Sequence, residues 1–120
     1  MTRCYDQGMR ETEISKAILK TAQKHKRVAR IFRVNSGMFK SFAGTIVQGA
    51  PKGTPDLIGF LDDGRFLAVE VKVPGEQPTP EQIEFLRQLN DAGGVGLVAT
   101  SSEEFDALFN DSLGRGTSAS

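Results

Sequence analysis

The sequence predicts an α/β domain, a mixed β-sheet flanked by helices, and three observations predict it. First, two apolar runs at 56–61 and 65–73 flank Asp62-Asp63-Gly64, a three-residue loop with glycine where a hairpin needs a left-handed residue. Second, a helix-period stretch and then another apolar strand follow, so strand, helix and strand make a crossover that implies a parallel pair. Third, the chain starts and finishes on further helix-period segments, which can cover such a sheet.

Length and composition fit one domain. The chain has 120 residues, 38% of them hydrophobic and 25% charged. That is enough to bury a core without disulfides. The single cysteine, Cys4, permits neither an internal disulfide nor a multi-cysteine zinc site, and suits a reducing compartment. No apolar run approaches the roughly 18 residues of a membrane span, and the first residues lack the apolar centre of a secretory signal. A cytoplasmic protein with no membrane partner is the expectation.

Net charge is zero, but its distribution is polarised. Between residues 16 and 55 stand nine basic side chains (Lys16, Lys20, Lys24, Lys26, Arg27, Arg30, Arg33, Lys40 and Lys52) and no acidic one. From Asp56 onward there are twelve acidic and four basic residues. A cationic first half suggests a surface facing a polyanion such as DNA. The alternative is that the two halves neutralise one another as surface ion pairs.

Residues 1–8 read as a flexible leader and 112–120 as a disordered tail, leaving a domain over 9–111. From about Glu11 to Lys24, Ile14, Ala17, Ile18 and Thr21 recur at helical spacing. The run 28–34 alternates as a strand, with Val28, Arg30, Phe32 and Val34 on one face and Ala29, Ile31 and Arg33 on the other. Asn35-Ser36-Gly37 is a turn signal. A short strand is expected within 38–47, and 50–55 is a loop by composition. The hairpin comes next. Thr79 then reads as an N-cap, with Pro80 in first position and Gln82 in third, a capping-box pattern. Its helix runs to about Asp91 and stops at Gly93-Gly94. Residues 95–100 form a strand, and Ser101 or Ser102 caps a last helix over 103–109.

The strongest chemical signal is Glu70-Val71-Lys72 inside an apolar strand. Alternation puts Glu70 and Lys72 on one face with Phe66 and Ala68. Two charges there are costly unless paired or holding a ligand. In the hairpin register, paired residue numbers sum to 126, which sets Asp56 opposite Glu70. Opposed side chains lie about 4.5–5.5 Å apart at Cβ. Two carboxylates that close repel, and a divalent cation removes the repulsion; Mg²⁺ takes carboxylate, water and phosphate oxygens. Glu11 shares a helix stripe with Ile14 and Ile18 and can reach such a site, whereas Glu13 aligns with Lys16 and Lys20. Gln82, just after the Glu70 strand, can also approach.

Each feature also has a structural explanation. Glu70 and Lys72 can be a strand-edge ion pair, and Asp56 a turn residue after Pro55. Glu11 can complement a helix dipole, and Gln82 can serve only its capping box. His25 reads as a solvated or phosphate-contacting residue without a catalytic role. One tyrosine and no tryptophan speak against an aromatic stacking platform for single strands. The glycines fit neither a Walker loop nor a dinucleotide fingerprint.

Together, Gly53-Thr54-Pro55-Asp56 and, fourteen positions past Asp56, Glu70-Val71-Lys72 resemble the Pro-Asp…Asp/Glu-x-Lys signature of restriction-endonuclease-like nucleases. More narrowly, the chain resembles the VRR-NUC (virus-type replication-repair nuclease) family. Glu11, Asn35-Ser36-Gly37, Asp56-Leu57-Ile58-Gly59 and Gln82 stand in the family's order. The resemblance implies a restriction-endonuclease-like α-β-β-β-α-β core and a metal-dependent endonuclease cutting DNA. Asp56, Glu70 and the Val71 carbonyl would hold Mg²⁺ or Mn²⁺. Lys72 would orient the attacking water and stabilise phosphate charge, Glu11 would act through metal-bound water, and Gln82 would hold Lys72 or the phosphate. Small members resemble Holliday-junction resolvases, which implies four-way or branched DNA and a homodimer. The competing reading is a catalytically silent DNA-binding module of the same fold.

Overall fold

The computed structural model describes residues 3–34 and 38–118; the Asn35-Ser36-Gly37 turn lies outside them. In chain order the elements are α1 (Arg3–Lys24), β1 (Val28–Arg33), β2 (Met38–Lys40), β3 (Ile46–Gln48), β4 (Leu57–Leu61), β5 (Phe66–Val71), α2 (Pro80–Asp91), β6 (Val95–Ala99) and α3 (Ser102–Ser118). The four-stranded sheet has the order β1-β4-β5-β6, and β2 and β3 form a separate two-stranded ribbon. β1 and β5 are antiparallel to β4, and β6 is parallel to β5. The α-β-β-β-α-β core is thus present as α1, β1, β4, β5, α2 and β6.

The β4–β5 hairpin has the register read from its loop: Ile58 opposes Ala68 and Phe60 opposes Phe66. Leu61 N–H donates to the Arg65 carbonyl at 2.8 Å, and Gly64 takes a φ of 91°, which the tight turn requires.

One sheet face is built from Ile31, Leu57, Leu61, Leu67, Val69, Val71, Val95, Leu97 and Ala99. α1 lays Ile18 and Ala22 on it, and α3 adds Phe105, Phe109 and Leu113. The two α3 rings stack with centroids 5.2 Å apart. α2 covers the other face over β5 and β6, where Leu86 and Leu89 rest against Gly96. Among the described residues, no helix is long and apolar enough to cross a membrane.

Four expectations change. α1 takes in residues 3–8, read from composition as leader, because a nucleated helix propagates at little cost even through weak formers such as Asp6 and Gly8. α3 continues to Ser118 through the expected tail; Gly114 and Gly116 weaken a helix without forbidding it. Residues 38–48 supply two short strands rather than one, with Phe39 opposite Val47. Finally, β1 does not alternate throughout. Val28 pairs with Leu61 but Arg30 with Phe60, so Ala29 is a bulge. The bulge moves Val28 to the core face with Ile31 and leaves Arg30 and Phe32 on the other. It also brings the Arg30 carbonyl against Gly59, where any Cβ would collide with it.

Candidate active site

Asp56 sits at the mouth of β4, where its carbonyl accepts from Val34 N–H at 2.9 Å and continues the pairing with β1. Its side chain turns toward β5, and Oδ2 accepts from Val71 N–H at 2.8 Å. Glu70 projects from β5 beneath α2 and is only 2% exposed. Lys72, two residues on, brings Nζ to 3.4 Å from Glu70 Oε2. The sheet therefore brings Asp56, Glu70 and Lys72 together.

The electrostatics of this cluster are unbalanced. Burial pushes the Glu70 carboxyl up to about 8, and the neighbouring Asp56 carboxylate pushes the same way; Lys72 opposes them. Among the described residues, Glu70 Oε1 is buried without a hydrogen-bond partner. A buried carboxylate oxygen that the protein's own donors leave unmatched, beside a second carboxylate, is chemistry that a cation or donor can satisfy.

α1 adds Glu11. Its inward stripe is Glu11, Ser15, Ile18 and Ala22, at spacings of four, three and four. Ala17, expected on the apolar stripe, is exposed, while Ser15 is 4% exposed. Glu11 is half-buried and Glu13 exposed. Burial raises the Glu11 carboxyl above its ordinary range, as do the charges of Asp56 and then Glu76, while Lys72 lowers it. Glu11 thus faces the same cluster from the opposite layer.

Sequence reasoning missed Glu76. After β5 the chain turns through Gly75, at a φ of 96°, and Glu76 folds back so that Oε1 accepts from Val73 N–H at 3.1 Å. The signal was Pro74-Gly75, a turn pair that returns the next side chain to the strand end. Gln82 forms its capping box: Thr79 N–H donates to Oε1 at 2.8 Å, and Gln82 N–H donates to Thr79 Oγ1 at 3.2 Å. Among the described residues its amide contacts Thr79 alone, so the structure places it as a helix cap and does not join it to Lys72.

The cationic half splits. Lys16, Lys20, Lys24, Lys26, Arg30 and Arg33 are exposed. Arg27 instead pairs with Asp62 at 2.8 Å and Asp63 at 3.2 Å, and Lys52 stands 4.0 Å from Glu81. For those two the neutralising reading applies. The Lys40 side chain lies outside the described residues. His25 is half-buried and hydrogen-bonded within the fold. It accepts from Arg27 N–H at Nδ1 (3.1 Å), so Nε2 carries the proton and donates to Asn110 Oδ1 at 2.9 Å. Its ring meets Phe109 edge-on at 4.7 Å, tying the α1 exit to α3.

Among the described residues, no three carboxylate, imidazole or thiolate groups close around a point. The donor set is two hard carboxylates with one free buried oxygen, which fits a hydrated divalent cation sharing its remaining positions with water and phosphate.

The family model of the VRR-NUC domain matches residues 9–103, spanning both carboxylate strands, Lys72 and Glu11. The chain belongs to the VRR-NUC domain family. Over 57 residues it is also 35% identical to a protein named "Putative nuclease p44" from Acyrthosiphon pisum secondary endosymbiont phage 1, a match covering 48% of this chain and 61% of that one. The chain therefore spans about three fifths of the length of this curated relative. In this VRR-NUC domain, the bulged β1, the β4–β5 hairpin and the α2 crossover are the scaffold that sets Asp56, Glu70 and Lys72 on one rim.

Proposed function

We propose that this VRR-NUC chain is a metal-dependent endonuclease that hydrolyses DNA phosphodiester bonds. The observation that supports it most is the buried Glu70 Oε1, unpartnered beside Asp56 with Lys72 3.4 Å from the other oxygen. A silent binding module needs none of these groups, and a buried carboxylate beside a second one is a net cost to a fold that does not use it. The phage relative's name points the same way.

Asp56 and Glu70 would hold Mg²⁺ or Mn²⁺, with the Val71 carbonyl and Glu11 through water. Such an ion supplies a water of lowered pKa and neutralises charge developing on the phosphate. Val71 N–H fixes the Asp56 carboxylate in its rotamer, so the site is preorganised. Lys72 holds its ammonium against Glu70, where it can orient a water and meet a non-bridging phosphate oxygen. The exposed cations of α1 and β1 would bind the backbone of the duplex. Branched substrates such as four-way junctions, and two copies acting together on two strands, are the finer form of this reading, since each chain carries one candidate site.

The test is cleavage of supercoiled plasmid and four-way junctions with Mg²⁺ or Mn²⁺ against EDTA. Metal-dependent nicks are expected. Clean, folded protein that binds DNA but cuts none of these substrates with either metal would establish the silent module instead.

A further inference from the structure

The half of the catalytic face that α2 leaves open carries an ordered set of phenylalanines. Phe60 and Phe66 oppose one another across β4 and β5, and Arg30 opposes Phe60 from β1. Phe32 opposes Ile58 one pair along, so Arg30, Phe32, Ile58, Phe60 and Phe66 share a single face. The rings are unusually open: Phe32 is 45%, Phe60 46% and Phe66 39% exposed. The Arg30 guanidinium lies 6.0 Å from the Phe32 centroid. A groove of about 370 Å³ runs beside them along the free edge of β1, lined by Gln23, Ala29, Arg30 and Phe32 among others.

Along β4 this face leads to the candidate active site through the half-buried Ile58, whereas on β5 Ala68 is buried between Phe66 and Glu70. Asp56, Ile58 and Phe60 alternate along β4, and Phe66, Ala68 and Glu70 along β5. Four residues of strand are roughly 13 Å, the rise of about four stacked nucleotides. Among the described strand residues, no carboxylate stands on this face between Arg30 and the Asp56–Glu70 rim. An open sheet whose exposed rings stand beside an arginine offers what unpaired bases need: flat apolar surfaces for stacking and a cation for the intervening phosphate. Counting tyrosine and tryptophan overlooks it, because the rings are phenylalanines.

We propose that Phe32, Phe60 and Phe66, with Arg30, form a stacking platform for unpaired nucleobases of a DNA strand entering the site. The proposal rests on the nuclease reading and adds the substrate class, DNA with a single-stranded arm. A second copy of the chain is a poorer occupant. Three half-exposed rings present on the order of 300 Å², against roughly 800 Å² per partner in a standard interface.

The chain contains no tryptophan, so Phe60→Trp installs a sole indole reporter. In EDTA, where no cleavage occurs, a single-stranded oligonucleotide of about a dozen nucleotides should quench it strongly, and a blunt duplex of the same length only weakly. Phe32→Ala and Phe66→Ala in the native background should weaken single-strand affinity roughly five- to hundred-fold and change duplex affinity less than about two-fold. Thermal melts confirm that each variant is folded. Equal quenching by both DNA forms, or none, overturns the platform. So does indole emission that shifts with protein concentration alone while the sedimenting mass doubles, since a second copy would then cover the face. Plasmid cleavage without selective quenching removes the platform and leaves the nuclease; selective quenching without cleavage does the reverse.

Discussion

The Asp56 carboxylate accepts a 2.8 Å hydrogen bond from the backbone amide of Val71, the residue between Glu70 and Lys72. That bond ties the start of one strand to the middle of the charged triplet on its neighbour. It gives Asp56 a structural role and a chemical one, and substitutions can separate them.

Asp56→Asn keeps a side-chain oxygen for Val71 N–H, whereas Asp56→Ala leaves that amide unpaired. The alanine variant should lose about 1–3 kcal/mol in urea denaturation and the asparagine variant much less. Both should lose cleavage by roughly a hundred-fold or more while still binding DNA. Activity surviving in the asparagine variant would remove Asp56 from the chemistry.

Lys72→Ala should also abolish cleavage at a similar scale, measured as the nicking rate at saturating Mg²⁺. Because Lys72 lowers the Glu70 carboxyl, its removal raises that group further from its ordinary 4.5. Lys72→Arg keeps the charge but changes its reach, and partial rescue would show that charge rather than position matters most.

Metal-free protein should lose stability as pH rises. The folded Glu70 carboxyl titrates at about 8 against an ordinary 4.5. Between those values the folded state holds a proton that the unfolded state has released, so unfolding becomes easier with each step upward in pH. In EDTA the melting temperature should fall by several degrees from about pH 5 to pH 8, a drop that Glu70→Gln should cut sharply, leaving the smaller share of the raised Glu11. Millimolar Mg²⁺ should restore it at pH 8. A melting temperature flat across that range in wild type would contradict the burial argument.

His25→Leu should cost about 1–2 kcal/mol through lost bonds to Asn110 and the Arg27 amide, with cleavage unchanged. Equilibrium denaturation beside a nicking assay checks both. A large loss of DNA affinity at full stability would return His25 to the phosphate-contacting role.

Arg27→Ala should leave the salt dependence of DNA binding as it is, since Asp62 and Asp63 already engage that guanidinium. Lys16→Ala or Lys20→Ala should each reduce the slope of log affinity against log salt by about 0.9 if that side chain meets a phosphate. Fluorescence anisotropy over a salt series reads both.

Much of the fold was legible because local rules settle it. Asp62-Asp63-Gly64 imposes one hairpin register, and that register alone sets Asp56 opposite Glu70. Thr79-Pro80-Glu81-Gln82 writes its own capping box. Glu70 and Lys72 share a face through strand alternation, a property of any extended chain.

Other features depend on partners distant in sequence. The Ala29 bulge is invisible in the alternation of 28–34, because it is fixed by how β1 meets β4 at Gly59. His25 is bound by Asn110, 85 positions away, and nothing near it in the chain announces that. Glu76 joins the acidic rim only when the turn at Gly75 folds back.

Local rules written in the residues establish which strands pair around the hairpin, which residues carry charge into an apolar strand, and hence that two carboxylates and an ammonium converge. Tertiary structure decided the rest: which cations remain free, which face of α1 delivers Glu11, and that three phenylalanines lie open on the face that bears Glu70. The physical reason is range. Turn geometry and side-chain alternation act within a few residues, whereas burial and ion pairing depend on what the completed fold brings alongside.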